Sequence, residues 1–340
     1  ENNLKDIDLK IPLNCIVSVT GVSGSGKTSL IKNIIYNGIK KLSGGSENNL
    51  KSYKHLSYDN NAFSEIEFID QNPIGKSSRS NPTTYIKAYD DIRTLFSNQK
   101  SSKQFNLKPK HFSFNVDGGR CDECKGEGEI KIEMQFMSDI RLKCEACKGK
   151  KFKKTVLQVK YMDKNIDDIL NMTIDNAYDF FLNNNQTKIS NKLKCLIDVG
   201  MGYVNLGQSS STLSGGEAQR IKLASFLLKG KNKESTLFIF DEPTTGLHFH
   251  DIKKLIKSFN FLIDFGHSII VVEHNIDLIK SADHIIDLGP YGGDNGGQVV
   301  FTGTPEELVK EKKSLLSKFL KPKLSSKSVS YTHLRAHETG

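Results

Sequence analysis

Three stretches of the 340-residue chain combine residue types that can do chemistry. The first is Gly21-Val-Ser-Gly-Ser-Gly-Lys-Thr28, which satisfies the phosphate-loop pattern G-x-x-x-x-G-K-[ST] without a mismatch. Gly21, Gly24 and Gly26, with Ser23 and Ser25 between them, let backbone N–H groups close around phosphate oxygens. Lys27 would neutralise the β and γ phosphates of a nucleotide, and Thr28 would offer its hydroxyl to Mg2+. The second stretch is Thr236-Leu-Phe-Ile-Phe-Asp-Glu242, an apolar run that delivers two carboxylates at its end. Asp241 suits a water-mediated hold on Mg2+, and Glu242 suits the orientation and deprotonation of an attacking water. His274 ends a similar run, Ser268-Ile-Ile-Val-Val-Glu-His274, where it could contact a γ-phosphate. The third is Cys121-Asp-Glu-Cys124, nineteen residues, then Cys144-Glu-Ala-Cys147. Two C-x-x-C pairs at that interval fit a four-thiolate zinc site with no open position, so the metal would hold structure and hydrolyse nothing.

These residues need particular elements to position them. Cys15–Thr20 reads as a buried strand and Ser29–Tyr36 as a helix, so the phosphate loop joins strand to helix as the motif requires. Before it, Asn3–Ile11 alternates apolar and polar residues, as an edge or half-buried strand does. Leu42–Asn49 reads as a loop. Ile66–Gln71 reads as a strand ending in Asp70 and Gln71, and a Gln there can complete Mg2+ coordination and sense the γ-phosphate. Leu213-Ser-Gly-Gly-Glu-Ala-Gln-Arg220 is a glycine turn followed by a helix, a second anion-accepting N-terminus. From about Ser77 to Thr212 the nucleotide-binding pattern is interrupted, which marks an inserted domain. Between its cysteine pairs, Ile130, Ile132, Met134 and Phe136 alternate with polar residues, the pattern of a β-hairpin arm. Cys15 and Cys195 lie outside the zinc spacing and read as buried packing residues.

The fold class is therefore α/β: a phosphate-loop ATPase domain interrupted by an inserted domain that carries a four-cysteine zinc β-hairpin. The expected division is 1–76 and 213–322 for the ATP-binding domain, 77–212 for the insertion with its zinc module at 117–154, and 323–340 for a disordered or non-native tail. Forty-eight Lys and Arg against thirty-nine Asp and Glu give a net charge of +9, which permits an anionic partner without requiring one. Arg141, Lys143, Lys148, Lys150, Lys151, Lys153 and Lys154 cluster by the second cysteine pair, either as a phosphate-contacting surface or as a solvated charged face. No apolar run approaches the length of a bilayer, and no charged-then-apolar leader opens the chain, so a cytoplasmic location is expected. Glu1 stands where an initiator Met would, and the chain reads as a piece of something longer.

Taken together, GVSGSGKT, the strand-end Gln71, LSGGE at Leu213–Glu217, FIFDEP at Phe238–Pro243 and His274 resemble the motif set of ABC-type ATPases. Within that group, IDQNPIGKSSRSNPTTY, FNVDGGRCDECKGEG, DVGMGYVNLGQSSSTLSGGEAQR, DEPTTGLHFHDI and DLGPYGGDNGG resemble the C-terminal half of the UvrA family, the damage-recognition ATPases of bacterial nucleotide excision repair. The resemblance runs from Glu1 to about Leu320. Thr28 stands where the family commonly has Ser, and Phe136–Ile140 departs from its pattern. The resemblance implies ATP, Mg2+ and Zn2+ as cofactors. It implies Lys27 and Thr28 as nucleotide and Mg2+ contacts, Gln71 as a coupler to the insertion, Glu242 as general base and His274 as γ-phosphate sensor. Ser214, Gly215 and Gly216 would cap ATP held by another nucleotide-binding domain, so full activity would need a second domain, from the missing N-terminal half or from a homodimer. Damaged double-stranded DNA and UvrB are the further partners it implies. The alternative is an ABC ATPase of a transporter or other non-repair assembly, against which the paired C-x-x-C motifs speak; an ATPase with chromosome-organising arms would need sustained heptads, which are absent from the sequence.

Overall fold

A computed structural model describes residues 3–44, 54–59, 61–75, 77, 79–134, 139–229 and 234–325. The expected loop beyond Gly44, the hairpin positions Gln135 and Phe136 and the tail beyond Ser325 lie outside the described residues. The chain divides into two compact units, Glu1–Asp70 with Lys229–Gly340, and Gln71–Leu228.

The first unit is built on a six-stranded sheet of β1 (Ile16–Gly21), β2 (Glu65–Ile69), β5 (Thr236–Asp241), β6 (Ser268–Val272), β7 (His284–Gly289) and β8 (Gln298–Gly303), in the order β2-β5-β6-β1-β7-β8. All neighbours are parallel except the antiparallel β7–β8 pair at the edge. The central strands read IVSVTG, TLFIFD and SIIVV and are buried almost throughout, because a parallel sheet covered on both faces favours continuous β-branched and aromatic runs. Helix Phe249–Asp264 buries Ile252, Leu255, Ile256, Phe259, Leu262 and Ile263, a stripe at helical spacing. Burying one such side chain contributes about 1.5–3 kcal/mol. The helix stops where Gly266 takes φ 82° and its N–H bonds Ile263 O at 2.8 Å. Parallel strands align their carboxyl ends on one side, which places Gly21, Asp241 and Val272 along a single edge.

Asn3–Ile11 is not a strand, contrary to its alternating pattern. Leu4, Ile7, Leu9 and Ile11 pack on the core around Val17, Val19 and Leu30, so the alternation records packing in the absence of a ladder partner. The helix after the phosphate loop begins at Ser29 with wide, π-type winding as far as Tyr36 and continues as α-helix over Asn37–Leu42. Cys15 and Cys195 are half-buried, short of the full burial expected of packing residues. Helix Leu315–Ser325 extends past position 323, where the tail was expected to begin.

The second unit is mainly helical, with Ala88–Ser97, Ile174–Asn183 and Thr187–Asp198 around a core that includes Phe96, Phe112, Phe181 and Leu193. The hairpin of β3 (Glu129–Ile132) and β4 (Ile140–Lys143) joins the two cysteine pairs. Helix Gly215–Lys229 runs in this unit as far as Leu228, so the stretch from 213 groups with the insertion. Local bonding accounts for it: Arg220 Nε lies 3.4 Å from Met201 Sδ, and Tyr203 Oη donates to Glu217 Oε1 at 2.5 Å.

Candidate nucleotide and metal sites

Gly21 ends β1 with φ 135°, and a Cβ there would stand 2.1 Å from Leu288 O, so only glycine fits where β7 passes the loop. The loop then turns, with Ser25 N–H bonding Val22 O at 3.2 Å, and is held from outside by Gly293 N–H bonding Gly24 O at 3.1 Å. Asn3 Nδ2 also donates to Gly24 O, at 2.6 Å. Lys27 lies almost fully buried across this loop, its Nζ donating to Gly21 O and Val22 O at 2.9 Å each. Burial lowers the Lys27 pKa, and Glu242, Asp287 and Asp241 oppose that shift. A desolvated cation facing three carboxylates is electrostatically suited to a polyanion accompanied by a divalent metal.

Asp241 closes β5, and burial followed by the charge of Glu242 holds its pKa above the usual carboxylate range. Glu242 adopts φ 48°, a left-handed conformation that costs a non-glycine residue about 1 kcal/mol and concentrates at functional sites. Its N–H bonds Val272 O at 2.9 Å, and its Oε1 lies 3.7 Å from His274 Nε2, with both side chains half exposed. Lys27, Asp241, Glu242 and His274 therefore meet at the carboxyl ends of β1, β5 and β6. Gln71 opens the second unit, beside the LSGGE stretch: a Cβ on Gly215 would meet Gln71 Cβ at 2.8 Å. Ser214 and Glu217 cap their helix reciprocally, with Ser214 N–H bonding Glu217 Oε2 at 2.8 Å and Glu217 N–H bonding Ser214 Oγ at 3.3 Å.

Two acids were not picked out from the sequence. Glu273, 2% exposed, accepts from the Thr244, His274 and Asn275 N–H groups at 2.8, 2.8 and 2.9 Å, tying the turn after β5 to the end of β6. Asp287 pairs with Thr20 across β1 and β7 and accepts from Thr20 Oγ1 at 2.9 Å and Ser314 Oγ at 2.6 Å. Burial raises its pKa. The available signals were an acid directly before a strand-end His and an acid inside an apolar run.

The four cysteines of the second unit converge. Cys121 and Cys144 sulfurs are 3.9 Å apart, Cys124 and Cys147 sulfurs 3.6 Å, and all four lie within 4.8 Å of one another. Tetrahedral zinc with Zn–S bonds of about 2.3 Å sets S···S edges of about 3.8 Å, so the donor set fits zinc. Each pair is followed by Lys-Gly, with φ 49° and 85° at Lys125 and Gly126, and 50° and 80° at Lys148 and Gly149. The matching turns aim both pairs at one centre. Gly128 N–H approaches Cys124 Sγ at 3.3 Å, and burial pushes the Cys147 thiol up to about 12. Of the basic cluster, Lys143, Lys148, Lys150 and Lys154 are exposed, Lys153 pairs with Asp122 at 2.8 Å, and Lys151 points inward.

With this geometry in hand, the comparisons with known proteins are specific. A family model described as "ABC transporter" matches residues 122–245. UvrABC system protein A of Clostridium perfringens is 51% identical over 322 residues, covering 94% of this chain and 34% of that protein. The Aquifex aeolicus protein of the same name is 50% identical over 329 residues, covering 97% and 35%. The crystal structure of UvrA2 from Deinococcus radiodurans superimposes with a TM-score of 0.85 at 38% identity, over 95% of this chain and 38% of that one. This is a UvrA-type ABC ATPase fold. The chain spans about a third of the length of the UvrA relatives it matches. No helix among the described residues is long and apolar enough to cross a membrane.

Proposed function

We propose that this chain is the ATP-hydrolysing, DNA-engaging part of a UvrA-type damage-recognition protein. The observation that carries the reading is the meeting of Lys27, Asp241, Glu242 and His274 at one sheet edge, in a chain whose other unit holds a buried cluster of four cysteines. Backbone N–H groups from Gly21 to Gly26, with Ser23 and Ser25, cradle the phosphates of ATP, and Lys27 moves from its loop carbonyls onto the β and γ oxygens. Thr28 and Asp241 would hold Mg2+, with Gln71 as a candidate third ligand; bound there, the ion would supply charge neutralisation for the developing phosphate. Glu242 accepts the proton of the attacking water, and His274 orients the γ-phosphate next to it. Ser214, Gly215 and Gly216 cap nucleotide on a second nucleotide-binding domain, from the rest of a longer protein or from a homodimer. Cys121, Cys124, Cys144 and Cys147 would hold Zn2+, which would brace the module whose exposed Lys143, Lys148, Lys150 and Lys154 present positive charge to duplex backbone. Damaged double-stranded DNA, hand-over to UvrB and a cytoplasmic location belong to the same reading.

The test is a salt series of binding to two duplexes that differ by one bulky adduct, with ATP and with ADP. A nucleotide-dependent preference for the adduct supports the reading. Absence of duplex binding at every salt concentration rejects it and returns attention to a transporter-type partner.

A further inference from the structure

In the second unit, each cysteine knuckle sends one side chain to a stretch that leads towards a proposed nucleotide contact. Glu127 follows the first knuckle and is fixed by its N–H bond to Cys124 O at 2.9 Å. Its Oε1 accepts from Arg79 Nε at 2.9 Å, and Arg79 lies on the stretch that follows Gln71. Lys151 follows the second knuckle and donates to Gly207 O at 3.3 Å, at the head of the segment that runs into Ser214. Lys151 has φ 66°, is half-buried, and its ammonium stands 5.8 Å from the centre of the Phe114 ring, so it is packed in place instead of waving in solvent. The two stretches are also bonded to each other. Ser210 N–H bonds Ser80 O at 2.7 Å, Ser210 Oγ donates to Ser77 O at 3.3 Å, and Thr83 Oγ1 donates to Leu206 O at 3.0 Å.

These bonds close a ring: first knuckle, Arg79 stretch, Ser210 stretch, Lys151, second knuckle. A lone exposed ion pair contributes little, but the Arg79 and Glu127 side chains are only 26% and 32% exposed, and their bond is one link of a closed network. We propose that Arg79 and Lys151 are positioning residues that lock the zinc module to the stretches bearing Gln71 and Ser214. Displacement of the hairpin by duplex DNA is then transmitted to both nucleotide contacts as motion of one body. This rests on the proposed roles of Gln71 and Ser214.

Amide hydrogen exchange of the 340-residue chain separates the clamp from the function. Arg79→Glu and Lys151→Met are expected to speed exchange at the Gly207 and Ser210 amides about tenfold while zinc content is unchanged, and the R79E/E127R charge swap to restore protection. Unchanged exchange in both single variants, or a swap that fails to restore it, overturns the clamp. Turnover of ATP with and without duplex then tests transmission. Both single variants are expected to lose the response of turnover to duplex while duplex affinity stays within about threefold. A retained response alongside raised exchange overturns transmission. A wild-type chain that neither binds duplex nor hydrolyses ATP overturns the functional reading instead, and the exchange data still decide the clamp.

Discussion

His274 Nε2 stands 3.7 Å from Glu242 Oε1, although the two side chains come from the ends of different strands. This proximity fits the proposed roles of Glu242 as base and His274 as γ-phosphate contact, which require the two side chains to stand side by side. Glu242→Gln keeps the size and the left-handed turn but removes the basic oxygen. ATP turnover is therefore expected to fall by about a hundredfold or more while nucleotide binding persists. Single-turnover assays with labelled ATP check it; turnover within a factor of two of wild type removes Glu242 from the role of base.

The convergence of four cysteine sulfurs predicts one zinc per chain by metal analysis. Cys147→Ser, or exhaustive chelation, should remove it and unfold residues 117–154, because the hairpin itself offers little core: Ile130, Ile132, Ile140 and Leu142 are each more than 40% exposed. Exchange protection in the first unit's sheet should survive. A chelated protein with its hairpin still protected would show that packing, and not metal, holds the module.

Glu273 serves three backbone N–H groups at once. Glu273→Ala strands them in a buried site, with an expected loss of about 2–4 kcal/mol in unfolding free energy. Denaturant titration of both proteins measures it. A loss under about 0.5 kcal/mol would mean that water replaces the carboxylate.

Much of the site was legible in the sequence because its chemistry is local. GVSGSGKT, FIFDEP and the two C-x-x-C pairs each specify a turn and its side chains within a few residues, and the strands that carry the first two are largely apolar runs. What escaped is long-range. Nothing near Gly21 in sequence announces that Leu288 O will lie against it, and nothing near Gly24 announces Gly293. The alternation of Asn3–Ile11 reports which side chains face the core, but a strand also needs a neighbour with free backbone groups, and that depends on the rest of the sheet. Likewise Lys151 sits in a run of lysines that reads as surface, and only the fold turns it inward against Gly207.

Asp287 gives a pH signature. Burial raises its folded pKa above 3.8, so between that value and the raised one the native state keeps a proton that the unfolded chain has released. Its contribution to stability is complete below 3.8 and is lost as pH rises through the folded pKa. Each tenfold difference in proton affinity between the states is worth about 1.4 kcal/mol. Asp287→Asn removes this dependence while leaving an amide that can still meet Thr20 and Ser314. The unfolding free energy of the variant relative to wild type should therefore climb as pH is raised from 3.8, then level off once the native carboxyl is ionised. Parallel stability curves across that range would mean that Lys27 and the two hydroxyls compensate the buried charge in full, and that Asp287 titrates as an ordinary surface acid.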